Sequence, residues 1–537
     1  MIYSYFYMSP YYKSTYFLSL TVLFVLSMCL VISVSNLFFV ILGWDGLGLV
    51  SFFLIVYYQN QSSIFSGVFT LLINRIGDGF FLCTIALYSY GIYEYFIFSS
   101  VFPSLTCLIF MVTTFMTKSA IYPFSPWLPM AIAAPTPISA LVHSSTLVTS
   151  GLFLIIKYSY FIYSSYFLCL VLVCFCMFTS FYAGINTIFE KDLKKLIALS
   201  TLSHLGFIGM SFFLGLLSLS FFHLLSHALF KSLLFMTMGD IIINLSHSQD
   251  IRFLSSGSLY TPFSCFMIFV PLINLIGIPR LVGFFSKDLV LESTNYTYLG
   301  GFMYLVLIFN LFFTFYYTFQ LFYYSFSLNK VTSYFNFHSP LFLHSVLMMA
   351  LSVFSLLFGY FYLSFVSYYL LFVPIPPFIK FLPILILLFS FIYLLFSLRM
   401  VTSTNQAANS YFSSIMFLYY FFTKLRSSLY YCFSFRFVKR VESGVLDCTF
   451  NSKLPTFFYS LGRTFFKFSM VNPFLLSLFF FSTFFFLCFI FVFLRSIKFP
   501  RRYKFYYRNI KLFSRLHNAH FNFHFIFCVL RFCLSYV

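Results

Sequence analysis

Apolar stretches of about twenty residues, enough to cross a bilayer, follow one another along most of this chain. They fall near 17–36, 38–58, 64–90, 99–121, 138–157, 160–185, 196–217, 219–245, 259–282, 286–327, 340–361, 378–398 and 473–494. At bilayer depth no water reaches the backbone, so each stretch must close its own hydrogen bonds as a helix. The expectation is an all-α polytopic membrane protein with about thirteen spans, the window 286–327 holding one long span and a preceding half-helix. Composition agrees: 8% of the 537 residues are charged and the mean hydropathy is +0.96, against roughly 25% charged in soluble domains. A soluble globular enzyme is excluded.

Charge placement gives an orientation. Loops on one side hold Lys13, Lys191, Lys194, Lys195, Arg252, Lys330 and Arg399, whereas the short loops opposite offer little beyond Lys157 and Lys380. The first group therefore faces the matrix or cytoplasm. Residues 401–472 open polar and then interleave aromatics with Lys424, Arg426, Arg436, Lys439, Arg440, Arg463 and Lys467, the pattern of a helix lying along the membrane surface. A last span at 473–494 and a basic tail at 495–537 follow; the tail suits anionic lipid or a neighbouring subunit better than nucleic acid. The 12 cysteines form no CxxC pair, which argues against a disulfide framework, a zinc site and an iron–sulfur cluster. The 89 Phe and 42 Tyr against 2 Trp fit the coding bias of an AT-rich organelle genome.

Ionisable side chains inside spans cost about 2.5–3.5 kcal/mol each on insertion scales, so each marks a site facing protein or water. Lys118 lies where a span gives way to the proline-rich run PFSPWLPMAIAAPTP, and His143 follows on the returning helix. Asp45 sits in GWDGLG; Arg75 and Asp78 are three apart, on one helix face, and are expected to pair. His223, His227 and Lys231 recur every fourth residue along a single stripe. Lys287 and Asp288 follow the glycine and proline breaks of IGIPRLVGFFSKD. Glu190, Asp192, Lys194 and Lys195 occupy the mouth of a span. The His223/His227 spacing lacks the glutamate of HExxH and any third ligand, so a metal is not expected. No repeated long spacing of histidines suits bis-histidine haem, and GWDGLG lacks the lysine and strand of a phosphate loop.

The segments GWDGLGLVSFFLIVYYQN, NRIGD, TKSAIYPFSPWLPMAIAAPTPISALVHSSTLVTSG, DLKKLIALSTLSHLGFIGM, FFHLLSHALFKSLLFMTMGD and GFFSKD, in that order, resemble the subunit 5 family of respiratory NADH:ubiquinone oxidoreductase, complex I. The resemblance is strong over 17–330 and architectural beyond. It implies an antiporter-like fold of two inverted five-helix repeats with discontinuous helices, at 1–158 and 159–327, then additional spans at 328–400, the lateral helix and the last span. It implies a proton relay in which Lys118 pairs with Asp45, His143 is central, and the path runs through Lys194, with Asp192 nearby, and His223, His227 and Lys231 to Lys287 with Asp288. Arg75 and Asp78 would support the Asp45 region.

Further implications are a mitochondrial inner-membrane location and the other membrane-arm subunits as partners, especially the antiporter-like subunit 4 and accessory subunits. Lipids such as cardiolipin would also bind, and nucleic acid would not. Flavin and iron–sulfur clusters would reside in other subunits, with no cofactor in this chain. Two departures stand out. Asp45 occupies a position usually held by glutamate, and it falls about a hundred residues early, as though some three family helices were supplied by a separately encoded fragment or by another subunit. A sodium/proton antiporter subunit shares the same core and is the alternative function; a haem-bearing oxidase subunit is a third class.

Overall fold

The computed structural model describes residues 1–399, apart from Pro10, Tyr12, 96–104, 246–247, 255–260, Arg280, 296–299, 327–341 and 367–376. The expected lateral helix at 401–472, last span at 473–494 and basic tail at 495–537 lie outside the described residues.

Helices account for every apolar window in the described part. In chain order they are α1 (Ile2–Met8), α2 (Ser14–Ser33), α3 (Leu37–Ile55), α4 (Gln61–Tyr95), α5 (Leu105–Lys118), α6 (Trp127–Ala131), α7 (Thr136–Lys157), α8 (Ser159–Ile162), α9 (Tyr166–Phe189), α10 (Leu193–Phe213), α11 (Leu217–Asn244), α12 (Pro262–Ile276), α13 (Val282–Thr294), α14 (Gly300–Phe326), α15 (Phe342–Val366) and α16 (Pro377–Arg399). Eight of the described helices are long and apolar enough to cross a membrane. The long window 286–327 divides into the half-helix α13 and the full span α14.

Two interruptions shape the bundle, and both have local causes. α5 stops at Lys118 because Ala120 takes a left-handed conformation and prolines at 123, 126 and 129 follow, each without a backbone donor. α12 stops at Gly277, which is left-handed at φ +80° and caps the helix through a bond from its N–H to Ile273 O. α7 changes pitch between Ser139 and Thr146, where the backbone is π-helical. There the Ser145 and Thr146 hydroxyls donate back to Leu141 O at 3.1 and 2.6 Å, and Ser144 donates to Ala140 O. Hydroxyls that compete for helical carbonyls in this way loosen the local winding.

Packing neighbours recur along the chain. α2 packs on α3, α3 on α4, α4 on α5 and α5 on α7; later, α9 packs on α10, α10 on α11, α11 on α12 and α12 on α14. Burial separates lipid-facing from central helices: the span window of α10 is 100% buried and that of α2 only 33%. α2 accordingly turns Leu23, Leu26 and Leu30 outward, while α10, with its Ser, Thr and His, fills the interior. Polar side chains on a wholly buried helix need partners from its neighbours, and they find them at the site.

Candidate functional site

Lys118 is fully buried. As the last residue of α5 it lies at the negative end of that helix's dipole, where a cation is favoured. Its ammonium donates to Trp44 O at 2.5 Å and lies 3.7 Å from the centre of the Trp44 indole ring. Trp44 Nε1 in turn donates to Asp78 Oδ1 at 2.9 Å. The Arg75–Asp78 pair forms as expected, at 3.3 Å.

The expected Lys118–Asp45 pair does not form. Asp45 turns instead toward Arg75, 3.9 Å away, with both side chains about 40% exposed, an arrangement worth little in stability. The reason is helical geometry. Adjacent residues on a helix point about 100° apart, so docking Trp44 against Lys118 swings Asp45 aside. The carboxylate linked to Lys118 is Asp78, through the indole.

His143 is fully buried on the π-helical stretch of α7, and neither ring nitrogen reaches a protein partner in hydrogen-bonding geometry. Its ring centre lies 6.4 Å from that of Trp127, whose Nε1 donates to Thr117 O at 2.8 Å. Trp127 thus touches both the Lys118 turn and the histidine.

A continuous polar chain runs through the later helices. Lys231 donates to Ser200 Oγ at 2.6 Å and to Tyr317 OH at 3.5 Å. Tyr317 OH lies 3.3 Å from His204 Nε2; His204 Nδ1 lies 3.3 Å from His223 Nε2; and His223 Nδ1 lies 2.9 Å from Ser286 Oγ. Lys231, Tyr317, His204, His223 and Ser286 are all buried, and their links cross α10, α11, α13 and α14. His227 lies beside the chain, its ring tilted against that of His204 with the centres 5.5 Å apart. Next to Ser286, Lys287 donates to Thr314 Oγ1 at 2.7 Å and to Leu275 O at 3.4 Å. Leu275 belongs to the last turn of α12, so this second lysine also rests at the C-terminal end of an interrupted helix. Asp288 is half-buried and, as the next residue on α13, projects from a different face.

Lys194 donates to Ala134 O at 3.3 Å, just before α7. Asp192 pairs with Lys195, at 2.6 Å, rather than with Lys194. The start of α10 is pinned by backbone bonds from Leu193 N to Gln249 O and from Ile251 N to Lys191 O. These residues border a cavity of about 760 Å³ whose lining includes Tyr7, Tyr11, Tyr58, Glu190, Lys194 and Ile242. Asp192 and Lys195 line it as well. Burial pushes the Glu190 carboxyl up to about 7, opposed by Lys195 and reinforced by Asp192.

Glu190 therefore ionises across neutrality. Because the folded state holds this proton more tightly than the unfolded chain, the stability it contributes is full below about pH 4.5 and is lost as pH rises toward 7. Glu190→Gln should behave at every pH like the acid form. Its thermal stability should match the parent's below about pH 6 and exceed it above pH 7, where the parent carries a desolvated anion at the cavity. Thermal unfolding across that range checks this, and identical profiles would remove Glu190 as the titrating group.

Sequence patterning located Lys118, His143, His223, His227, Lys231 and Lys287 at buried positions. It missed Trp44 and Trp127 as contacts, and His204, Tyr317, Ser200, Ser286 and Thr314 as links. A usable signal existed only for His204: the run LSTLSH places hydroxyls and a histidine inside an otherwise apolar helix.

A multi-pass helical bundle with paired helix breaks, each seating a buried lysine at a half-helix end, defines the antiporter-like class of membrane subunits. The chain belongs to the NADH:quinone oxidoreductase/Mrp antiporter family, whose transmembrane region matches residues 34–314. It is similar to NADH-ubiquinone oxidoreductase chain 5 of Anopheles quadrimaculatus, at 44% identity over 60% of this chain and 56% of the relative. To the same-named protein of Anopheles arabiensis it is 45% identical over 57% of this chain and 80% of the relative. The chain thus spans about half the length of the first curated relatives it matches. Its fold resembles a chain in the structure of the Mrp complex from Dietzia sp. DQ12-45-1b, with TM-score 0.60 and 22% identity over 73% of this chain and 47% of that one.

Proposed function

We propose that this chain is a proton-translocating subunit of the membrane arm of a respiratory NADH:ubiquinone oxidoreductase in the mitochondrial inner membrane. Electron transfer takes place in other subunits, which carry the flavin and iron–sulfur clusters. Its partners are the other membrane-arm subunits, the antiporter-like subunit 4 and accessory subunits among them, with cardiolipin at the lipid-facing surface.

The observation that carries this reading is the buried chain Lys231–Tyr317–His204–His223–Ser286, which ends one residue from Lys287. Each member can both receive and release a proton, or orient one that does. Lysines at its two ends can hold the transported charge, and neutral imidazoles between them can pass it by switching tautomers. Lys118, linked through Trp44 to Asp78, would load the other half, with His143 between them and Lys194 facing the cavity. Moving one charge against about 150 mV costs roughly 3.5 kcal/mol, an amount that charge rearrangement among desolvated lysines and acids can supply.

Tyr317→Phe tests the chain directly. It keeps the ring packed and removes the hydroxyl between Lys231 and His204, so proton translocation should fall by about tenfold or more at unchanged abundance in the membrane. Protons moved per electron pair, measured in sealed vesicles driven by NADH, provide the readout. Unchanged translocation would break the chain as a route, and sodium-dependent translocation without an electron donor would favour the sodium/proton antiporter.

A further inference from the structure

Helix α11 carries an acid that the lysine–histidine chain leaves unused. Asp240 lies nine residues beyond Lys231, which at 100° per residue places it about 180° round the helix. It therefore faces away from the histidine stripe, toward α1 and the start of α7. Its residue is 7% exposed. A carboxyl group at such depth is costly, and where one occurs it marks a functional position by default.

Three hydroxyls gather at that face. Tyr3 OH donates to Met236 O at 3.1 Å. A Cβ placed on Gly239 would stand 2.5 Å from Tyr3 OH and 3.0 Å from Thr136 Oγ1, so glycine there lets the phenol and the threonine converge on the turn of α11 that carries Asp240. Asp240 acts electrostatically on both Tyr3 and Tyr7, and the buried Thr136 Oγ1 beside them has no hydrogen-bond partner among the described residues. α1 packs on the first turn of α7, and that turn packs on α11.

The group also connects in two directions. Tyr7 lines the cavity of about 760 Å³, as does Ile242, two residues past Asp240; at about 30 Å³ per molecule that volume holds about 25 waters. On the other side, Ser139 donates to Thr136 O at 2.7 Å, and Ser139 opens the π-helical stretch that bears His143. Burial pushes the Tyr7 phenol up to about 12, so it stays protonated and can donate inward while accepting from the cavity.

We propose that Asp240, with Tyr3 beside it and Tyr7 between it and the cavity wall, is a proton-uptake station that connects the cavity to the His143 segment. It rests on the proton-translocation reading above. The step is proton transfer alone. A hydronium in the cavity protonates the Tyr7 oxygen as the Tyr7 O–H bond breaks, and the proton released passes through water to form an O–H bond with the Asp240 carboxylate. Tyr7 ends as it began, the hydronium becomes water, and Asp240 becomes a neutral acid that releases its proton toward the hydroxyls of Thr136 and Ser139.

The test compares Asp240→Asn, Asp240→Glu and Tyr7→Phe with Lys118→Met, each in the intact complex in sealed membrane vesicles. Asp240→Asn should lower proton uptake by about tenfold, Asp240→Glu should restore most of it, and Tyr7→Phe should fall between. Uptake unchanged in Asp240→Asn but lost in Lys118→Met refutes the station and leaves the translocation reading standing. Uptake unchanged in both refutes the translocation reading as well. If the Asp240→Asn complex does not assemble, the unsubstituted complex is treated with dicyclohexylcarbodiimide, which attacks protonated carboxyls in apolar surroundings. Mass spectrometry should then find the adduct on Asp240; labelling of other buried carboxyls with none there overturns the proposal.

Discussion

Lys118→Met is expected, on the proposed proton-translocating function, to leave the complex assembled and to lower its proton translocation by about 100-fold or more. Methionine fills the same fully buried volume, and removing a charge from such a site relieves its desolvation cost, so packing gives no reason for misfolding. The loss is chemical. The ammonium that holds Trp44 O at 2.5 Å is the one group at the end of α5 that can carry a proton, and Asp78 keeps Arg75, 3.3 Å away, as its counter-charge. Lys287→Met should do the same in the second half, where Thr314 and Leu275 O lose their donor. The measurement is proton uptake at matched NADH oxidation in vesicles; unchanged uptake in both variants would sink the relay.

The second large effect concerns the fold. Gly283→Ala is expected to prevent accumulation of the chain, because a Cβ at that position would stand 1.7 Å from Asn274 O and 2.8 Å from Asn274 C, both backbone atoms. No rotamer change relieves such a clash, so the half-helices α12 and α13 must separate, at a cost above the usual overpacking range of about 1–3 kcal/mol. The position of Lys287 against Leu275 O depends on that approach. Gly301→Ala is the control, since a Cβ there meets nothing within 4 Å and alanine favours helix by about 1 kcal/mol. Steady-state abundance in membranes distinguishes the two; a Gly283→Ala chain that accumulates normally would contradict the packing of α12 on α13.

Much of the bundle was legible in the sequence because its causes are local. Window length predicts a span, proline and left-handed glycine predict a break, and four-residue spacing places His223, His227 and Lys231 on one face. The Arg75–Asp78 pair was legible for the same reason, being set by spacing on one helix. Asp45 shows where that reasoning stops. Its nearness to Lys118 depends on whether residue 44 or residue 45 of α3 turns toward α5, a rotation that periodicity in a uniformly apolar helix does not specify. Tyr317 shows the same limit, since 113 residues separate it from His204 and nothing local marks it among so many tyrosines.

From its sequence alone this protein is a multi-span helical membrane chain, with its breaks beside Lys118 and Lys287 and its costly charges at identifiable depths. Those properties follow from hydrophobic length, missing backbone donors and desolvation, which act on each segment independently. Only the tertiary structure decided that Lys118 answers to Trp44 and Asp78, that His204 and Tyr317 join the lysine to the histidines, and that Asp240 lies beneath α1. A helix fixes the faces its residues share, but partners across helices are chosen by which faces dock and at what rotation.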